Sequence, residues 1–212
     1  FLGANVIKLL HGAWLPIVTG VVIYTIMSTW QRGRMLLGAY FARGALPVDL
    51  FVTDISRKPP HRVAGSAIFL TANPDGVPPV LLHHLKHNKV LHEKVVLLSL
   101  LTVDYPHVAD EDRVIVEELG AGLFRVRGRY GYMETPDVPD LLKICAMKGL
   151  KLKIGETSFY LGRDTLVTHT GRGMNRWRKR LFSLLQRNAQ PATAYFHIPP
   201  NRVVELGAQI EL

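Results

Sequence analysis

From Gly12 to Trp30 the chain runs GAWLPIVTGVVIYTIMSTW without a formal charge, and the first charges beyond it are Arg32 and Arg34. At 1.5 Å per residue such a helix is about 28 Å long, close to the ~30 Å hydrocarbon layer of a bilayer. The run is therefore predicted to be a transmembrane helix. Thr19, Thr25 and Ser28 are compatible with this, because their hydroxyls can bond back to helix carbonyls. Pro16, between Gly12 and Gly20, suits a helix that packs on neighbours. Arg32, Arg34 and Arg43 follow the span, against Lys8 before it, which by the positive-inside rule places the C-terminal portion in the cytoplasm. Trp14 and Trp30 stand near the two ends as interfacial anchors. A secretory signal is the competing reading, but the run is too long for one and lacks both a basic start and a small-residue cleavage site. The chain opens on Phe1 with the apolar stretch FLGANVIKLL directly ahead of the span, which predicts further polypeptide upstream.

Beyond the span the pattern changes. Arg34 to Ser56 is predicted as an amphipathic helix broken near Pro47 and lying along the inner membrane face. RKPPHR, Arg57 to Arg62, is a stiff linker because adjacent prolines forbid helix. VAGSAIFLT, from Val63 to Thr71, is short, apolar and β-favouring and is followed by the turn signal NPDG. Pro78 and Pro79 suit the first turn of a helix with its body over Leu81 to His92. KVVLLSLLTV, Lys94 to Val103, has the continuous apolar character of a strand buried on both faces. Strand, helix and strand make a βαβ unit. Arg113 to Glu118 and Leu123 to Tyr132 alternate around a GAG turn and predict a hairpin, with Arg125, Arg127 and Arg129 on one face. A short helix over Pro139 to Lys148, strands at Thr157 to Leu161 and Thr165 to His169, a basic helix from Met174 to Asn188 and a last strand from Arg202 to Glu211 complete the reading. The predicted class is α/β: one transmembrane helix and then a cytosolic mixed-sheet domain. The predicted segments are residues 1–33 for the span and its approach, 34–61 for juxtamembrane helices and linker, and 62–212 for the cytosolic domain.

Composition agrees with one span attached to a water-facing domain: 48% of residues are hydrophobic, yet 20% are charged, more than a many-span chain would carry. The sole cysteine, Cys145, cannot form an internal disulfide and fits a reducing compartment. The net charge of +9 fits nucleic acid, anionic lipid or simple positive-inside bias, and beside a membrane span anionic lipid is the simpler reading. Arg172, Arg176, Arg178, Lys179 and Arg180, on a helix whose apolar stripe is Met174, Trp177, Leu181, Leu184 and Leu185, are candidate lipid or partner contacts, the alternative being a plain core-packing helix with a solvated basic face. No RNA-binding aromatic signature, zinc finger or basic zipper accompanies them, so nucleic acid is not an expected partner.

Two other chemistries are open. The Arg125, Arg127 and Arg129 row beside a βαβ unit makes a candidate nucleotide contact in a regulatory module. His83, His87 and His92 in HHLKHNKVLHE could hold a catalytic metal in a hydrolase. The second is weakened because His84, not a glutamate, follows His83. The acids Glu134, Asp137 and Asp140 stand among prolines and suggest helix capping. Neither a cofactor nor an enzymatic activity is expected.

The residues also resemble a known family along the whole chain. Asn5, Lys8, Gly12, Trp14, Pro16, Gly20, Thr29, Trp30 and Arg34 match its last span. The runs RVAGSAIFLT at Arg62, LKHNKVLHE at Leu85, YGYMETPDVP at Tyr130, ETSFYLGRDTL at Glu156 and IPPNRVVELGAQIEL at Ile198 match its soluble part. The chain resembles the C-terminal third of the bacterial Kup potassium uptake proteins, the KUP/HAK/KT family. Ala13, Ala64 and His84 stand where that family usually has glycine, proline and asparagine. The resemblance implies a twelve-span transporter of the bacterial inner membrane that imports K+ together with H+. This chain would supply its last span and a cytosolic domain for assembly, as a possible homodimer, or for regulation by a nucleotide such as a cyclic dinucleotide. The histidines then belong to the fold, and the ion-binding residues lie upstream.

Overall fold

The computed structural model describes residues 14–43, 45–167 and 174–211. The chain divides into two compact units, one of Phe1–Phe41, Leu166–Ala189 and Ile210–Leu212, the other of Ala42–Thr165 and Gln190–Gln209.

The first unit is built on α1 (Trp14–Arg43), a single helix of 30 residues. The expected span and the start of the expected juxtamembrane helix are therefore continuous, since nothing between Trp30 and Arg43 breaks a helix. Two of the three hydroxyls expected to bond back to the helix do so: Thr25 Oγ1 donates to the Val21 carbonyl at 2.8 Å and Ser28 Oγ to that of Thr25 at 3.2 Å. Among the described residues no helix is long and apolar enough to cross a membrane. Gly12 and Ala13, the first residues of the uncharged run, lie outside them.

The second unit is a sheet covered on both faces. Its other elements are α2 (Val48–Arg57), β1 (His61–Leu70), α3 (Pro79–Asn88), β2 (Val90–Val103), α4 (Asp110–Arg113), β3 (Val114–Gly120), β4 (Leu123–Gly131), α5 (Val138–Met147), β5 (Thr157–Val167), a short α-helical turn at Ala192–Tyr195 and β6 (Val203–Glu211). The strand order is β3-β4-β2-β1-β5-β6. β1 runs parallel to both β2 and β5, β2 parallel to β4, and β3 antiparallel to β4. The predicted βαβ unit and hairpin are both present.

Side chains alternate across the strands and so divide the core in two. Ile68, Val96, Leu98, Val126 and Phe159 face α5, where Leu141, Leu142 and Cys145 are buried. Ala67, Phe69, Val95, Leu97 and Tyr160 face the other way, toward Val80 and Leu81 of α3 and Val48, Phe51 and Ile55 of α2. The apolar face of α2, expected along the membrane, is thus covered by the sheet.

Several element boundaries differ from the sequence reading. α3 stops at Asn88 because Lys89 takes a left-handed backbone, φ 58°. Val90, Leu91 and His92 are then free to pair with His61, Arg62 and Val63, which extends β2 and draws the expected linker residues His61 and Arg62 into β1. The two short strands expected between Thr157 and His169 are one strand, β5, as far as Val167. The GAG turn holds Gly120, Ala121 and Gly122 all at positive φ, a conformation natural to the glycines and costly only for Ala121.

The loops after β2 and β4 are joined at their backbones. Tyr132 N–H donates to the Tyr105 carbonyl at 2.9 Å and Met133 N–H to that of Pro106 at 3.2 Å. This leaves no room beside Gly131, where an added Cβ would collide with the backbone carbonyl of Pro106. Gly131→Ala is therefore expected to destabilise the domain by about 1–3 kcal/mol, the usual range for overpacking. Gly155→Ala, with nothing within 4 Å of the added Cβ, should be nearly neutral. Urea unfolding of the two variants side by side checks this, and equal midpoints would contradict it.

Candidate functional site

Because β1, β2, β4 and β5 all run the same way, their carboxyl ends gather at one edge. α3 leaves that edge over one face and α5 over the other, the arrangement in which open α/β sheets bind ligands. Residues 71–78, 104–109 and 132–137 form its loops.

Glu134 organises this edge. Its Oε2 accepts from Gly131 N–H at 2.7 Å and Val108 N–H at 3.1 Å, and its Oε1 pairs with Arg113 at 2.7 Å. The Gly131 amide, then that of Val108 and the charge of Arg113, hold its carboxyl below the usual range. Of the acids expected to cap α5, Asp137 does so, accepting from Asp140 N–H at 2.9 Å, while Glu134 acts as a loop tie.

The register places Arg125, Arg127 and Arg129 opposite Leu97, Ser99 and Leu101 of β2. This is the face that Leu123 begins inside the α2/α3 core. Two of the three are engaged. Arg125 Nη1 pairs with Glu117 at 2.9 Å, and Arg127 Nη2 with Asp75 of the NPDG turn at 3.0 Å. Ser99 Oγ, Arg125 Nε and Arg127 Nε are buried without a hydrogen-bond partner, so the row retains donors for an anion. An incoming anion would have to displace two carboxylates.

The expected His83, His87 and His92 metal trio is not assembled. His83 stacks on His87 with ring centroids 6.1 Å apart, whereas His92 lies beside His84 and Tyr160. Helical periodicity explains the split: Val80, Leu81 and His84 turn inward from α3, and His83 and His87 do not share that face. Among the described residues no group of three or more histidines, cysteines or acids is placed to hold a metal.

In the helical unit, α6 (Arg176–Arg187) is the predicted basic helix. Thr29, Gly33 and Leu37, four residues apart along α1, are buried. An added Cβ at Gly33 would overlap the Phe182 ring, so glycine is what lets α6 approach. Trp30 packs on Phe182 with centroids 5.6 Å apart. Arg178 Nε donates to Thr29 Oγ1 at 3.1 Å and Nη2 to Ser28 Oγ at 2.6 Å.

The candidate lipid or partner contacts are therefore dispersed. Arg178 is spent on α1, Lys179 is buried, and Arg176 and Arg180 are exposed; Arg172 lies outside the described residues. The expected apolar stripe also differs, for Phe182 is the buried aromatic while Trp177 and Leu184 are exposed. Gly33 among larger residues was the sequence signal that could have identified the partner face.

Burial, and then the neighbouring His92, lowers the pKa of His84, whose Nδ1 lies 2.9 Å from Asn88 Nδ2; burial also lowers that of His92. Both are therefore held neutral. The unfolded chain binds a proton at about pH 6.5 and the folded one only lower. Stability present above that pH is lost as pH falls through the folded values. His84→Asn is expected to flatten the decline in urea midpoint between about pH 7 and pH 5, and an unchanged slope would contradict this.

Residues 64–212 match the model of the K+ potassium transporter C-terminal domain, and residues 1–35 match that of the K+ potassium transporter integral membrane domain. Among similar proteins, those named "Probable potassium transport system protein Kup" from Myxococcus xanthus, Anaeromyxobacter dehalogenans and Aromatoleum aromaticum are each 52% identical over the whole chain. The chain spans about a third of their length, 32%, 32% and 33% respectively. No solved structure matches it. With residues 64–212, most of its length, inside the C-terminal domain model, the chain belongs to the K+ potassium transporter family.

Proposed function

We propose that this chain is the last membrane helix and the cytosolic C-terminal domain of an inner-membrane importer that moves K+ together with H+. The observation that carries the membrane reading is the surface of α1. Leu15, Ile17, Val18, Val22, Ile23 and Met27 are all exposed, and at 100° per residue they occupy the whole circumference. A helix apolar all round belongs in lipid or among other helices. The Kup relatives and the integral membrane match at residues 1–35 support the same reading.

The ion path is assigned to the remainder of the transporter. The chain's first acidic residue is Asp49, so α1 has no carboxylate to bind an ion at mid-membrane, and the proton and potassium sites belong to that remainder. Proton coupling is energetically apt. A thousandfold potassium gradient costs about 4.1 kcal/mol, whereas one charge crossing 100 mV gains only about 2.3 kcal/mol; a proton moving inward with K+ supplies the difference.

Within that assembly the sheet domain serves to hold subunits together, as a homodimer. Its Arg125 and Arg127 already have acidic partners, which favours this reading over nucleotide sensing. Light scattering of the purified chain should give a dimer, and titration with a cyclic dinucleotide or ATP should release no heat. Monomer at high concentration, or saturable heat, would reverse the preference.

Proteoliposomes carrying this chain alone should take up no rubidium tracer. The chain joined to the upstream two thirds of the Myxococcus xanthus relative should restore growth of potassium-uptake-deficient bacteria at low K+, with uptake that falls when the pH gradient is collapsed at constant voltage. Flux from the chain alone, or uptake indifferent to the pH gradient, would overturn the proposal. A thiol introduced at exposed Tyr132 should react with impermeant reagents in inverted vesicles only.

A further inference from the structure

The outward face of α6 has a composition that its contact with α1 does not explain. Arg176, Arg187, Arg180, Leu184 and Trp177 are all exposed. At 100° per residue they fall, in that order, within one arc of about 100°. Trp177 and Leu184 are 54% and 58% exposed, which a helix that merely covers α1 would have no reason to favour. A basic edge grading into a tryptophan and a leucine is the composition of a helix lying in the interfacial layer of a membrane.

Charge is distributed to match. The helical unit contains Lys8, Arg32, Arg34 and the six basic residues between Arg172 and Arg187, against Glu211 alone, so nearly all of the chain's net +9 resides there. Its location along α1 also fits. Arg178 grips Ser28 and Thr29, and Phe182 seats on Gly33, so α6 is pinned directly after the exposed apolar length of α1, where Arg32 and Arg34 are exposed too. A bilayer crossed by that length would end at this level.

We propose that the Arg176, Arg180, Arg187, Leu184 and Trp177 face of α6 is an anionic-lipid docking surface, with the guanidinium groups on lipid phosphates and the Trp177 and Leu184 side chains in the acyl boundary. The proposal rests on α1 crossing the bilayer. The bonds of Arg178 to Ser28 and Thr29 hold the helix in place, and the three outward arginines bind the leaflet. At about 1 kcal/mol for each basic residue near an anionic leaflet, removing one weakens docking about fivefold.

The test uses the full chain in nanodiscs of phosphatidylcholine alone or with a third phosphatidylglycerol, with a nitroxide at Leu184→Cys. Cys145, buried and with its thiol pushed up to about 11, does not compete for label. Collision of the nitroxide with a water-soluble nickel chelate should fall severalfold, and collision with oxygen should rise, when phosphatidylglycerol is present. The Arg176→Gln, Arg180→Gln, Arg187→Gln triple variant should abolish the difference, and the corresponding lysine triple should keep it, because the attraction is to charge. Equal accessibility in both bilayers, or a difference that survives the glutamine triple, overturns the proposal. A second label at Val22→Cys separates the two readings. Val22 shielded from nickel with Leu184 unaffected by lipid charge refutes the docking surface alone, whereas Val22 open to nickel refutes both.

Discussion

Pairing of β1 with β2 on one side and β5 on the other is the constraint from which the sheet domain follows. Both pairings are parallel, so each needs a crossover that returns the chain to its starting edge. α3 makes one return and α5 contributes to the other, on opposite faces. Once β1 is central, Ile68 and Phe69 must face opposite cores, and the apolar runs of β1 and β2 must be continuous rather than alternating. The same geometry gathers every parallel carboxyl end at one edge, where Glu134 ties the loops after β2 and β4 through the amides of Gly131 and Val108.

The helical unit is held by fewer and more specific contacts. Gly33 admits Phe182, Trp30 flanks it, and the Arg178 guanidinium satisfies Ser28 and the fully buried Thr29. A charged group beside an apolar helix is costly unless hydrogen-bonded, and here two hydroxyls accept from it. Arg178 is thus a structural residue, although Arg176 and Arg180, two positions away on either side, are surface charges. A run of basic residues on a helix need not have one role.

Much of the sheet was legible because continuous apolar runs and turn residues are local signals. KVVLLSLLTV could hardly be other than a buried strand, and the GAG turn announced the hairpin. What the sequence concealed depended on partners distant along the chain. The left-handed Lys89 releases Val90 to His92 to pair with His61 to Val63, and nothing in HNKVLH signals this. The same holds for the histidines. A spacing of four placed His83 and His87 together, but only the orientation of α3 on the sheet sends His84 to meet His92 and Tyr160. Arg178 could be assigned to α1 only once Ser28 and Thr29 were seen to lie beside α6.

Charge is separated between the two units. With nearly all the net positive charge on the helical unit, the sheet unit is close to neutral, and its arginine row is balanced locally by Glu117 and Asp75. A neutral sheet domain gains little from a nearby anionic leaflet, because that field decays within a Debye length. On the proposed membrane reading, an anionic leaflet would therefore act on the helical unit and not on the sheet domain. The segment from Tyr130 to Pro139 holds the carboxyl edge of the sheet together through Glu134, Tyr130 and Asp137, a task of hydrogen bonding that needs no net charge.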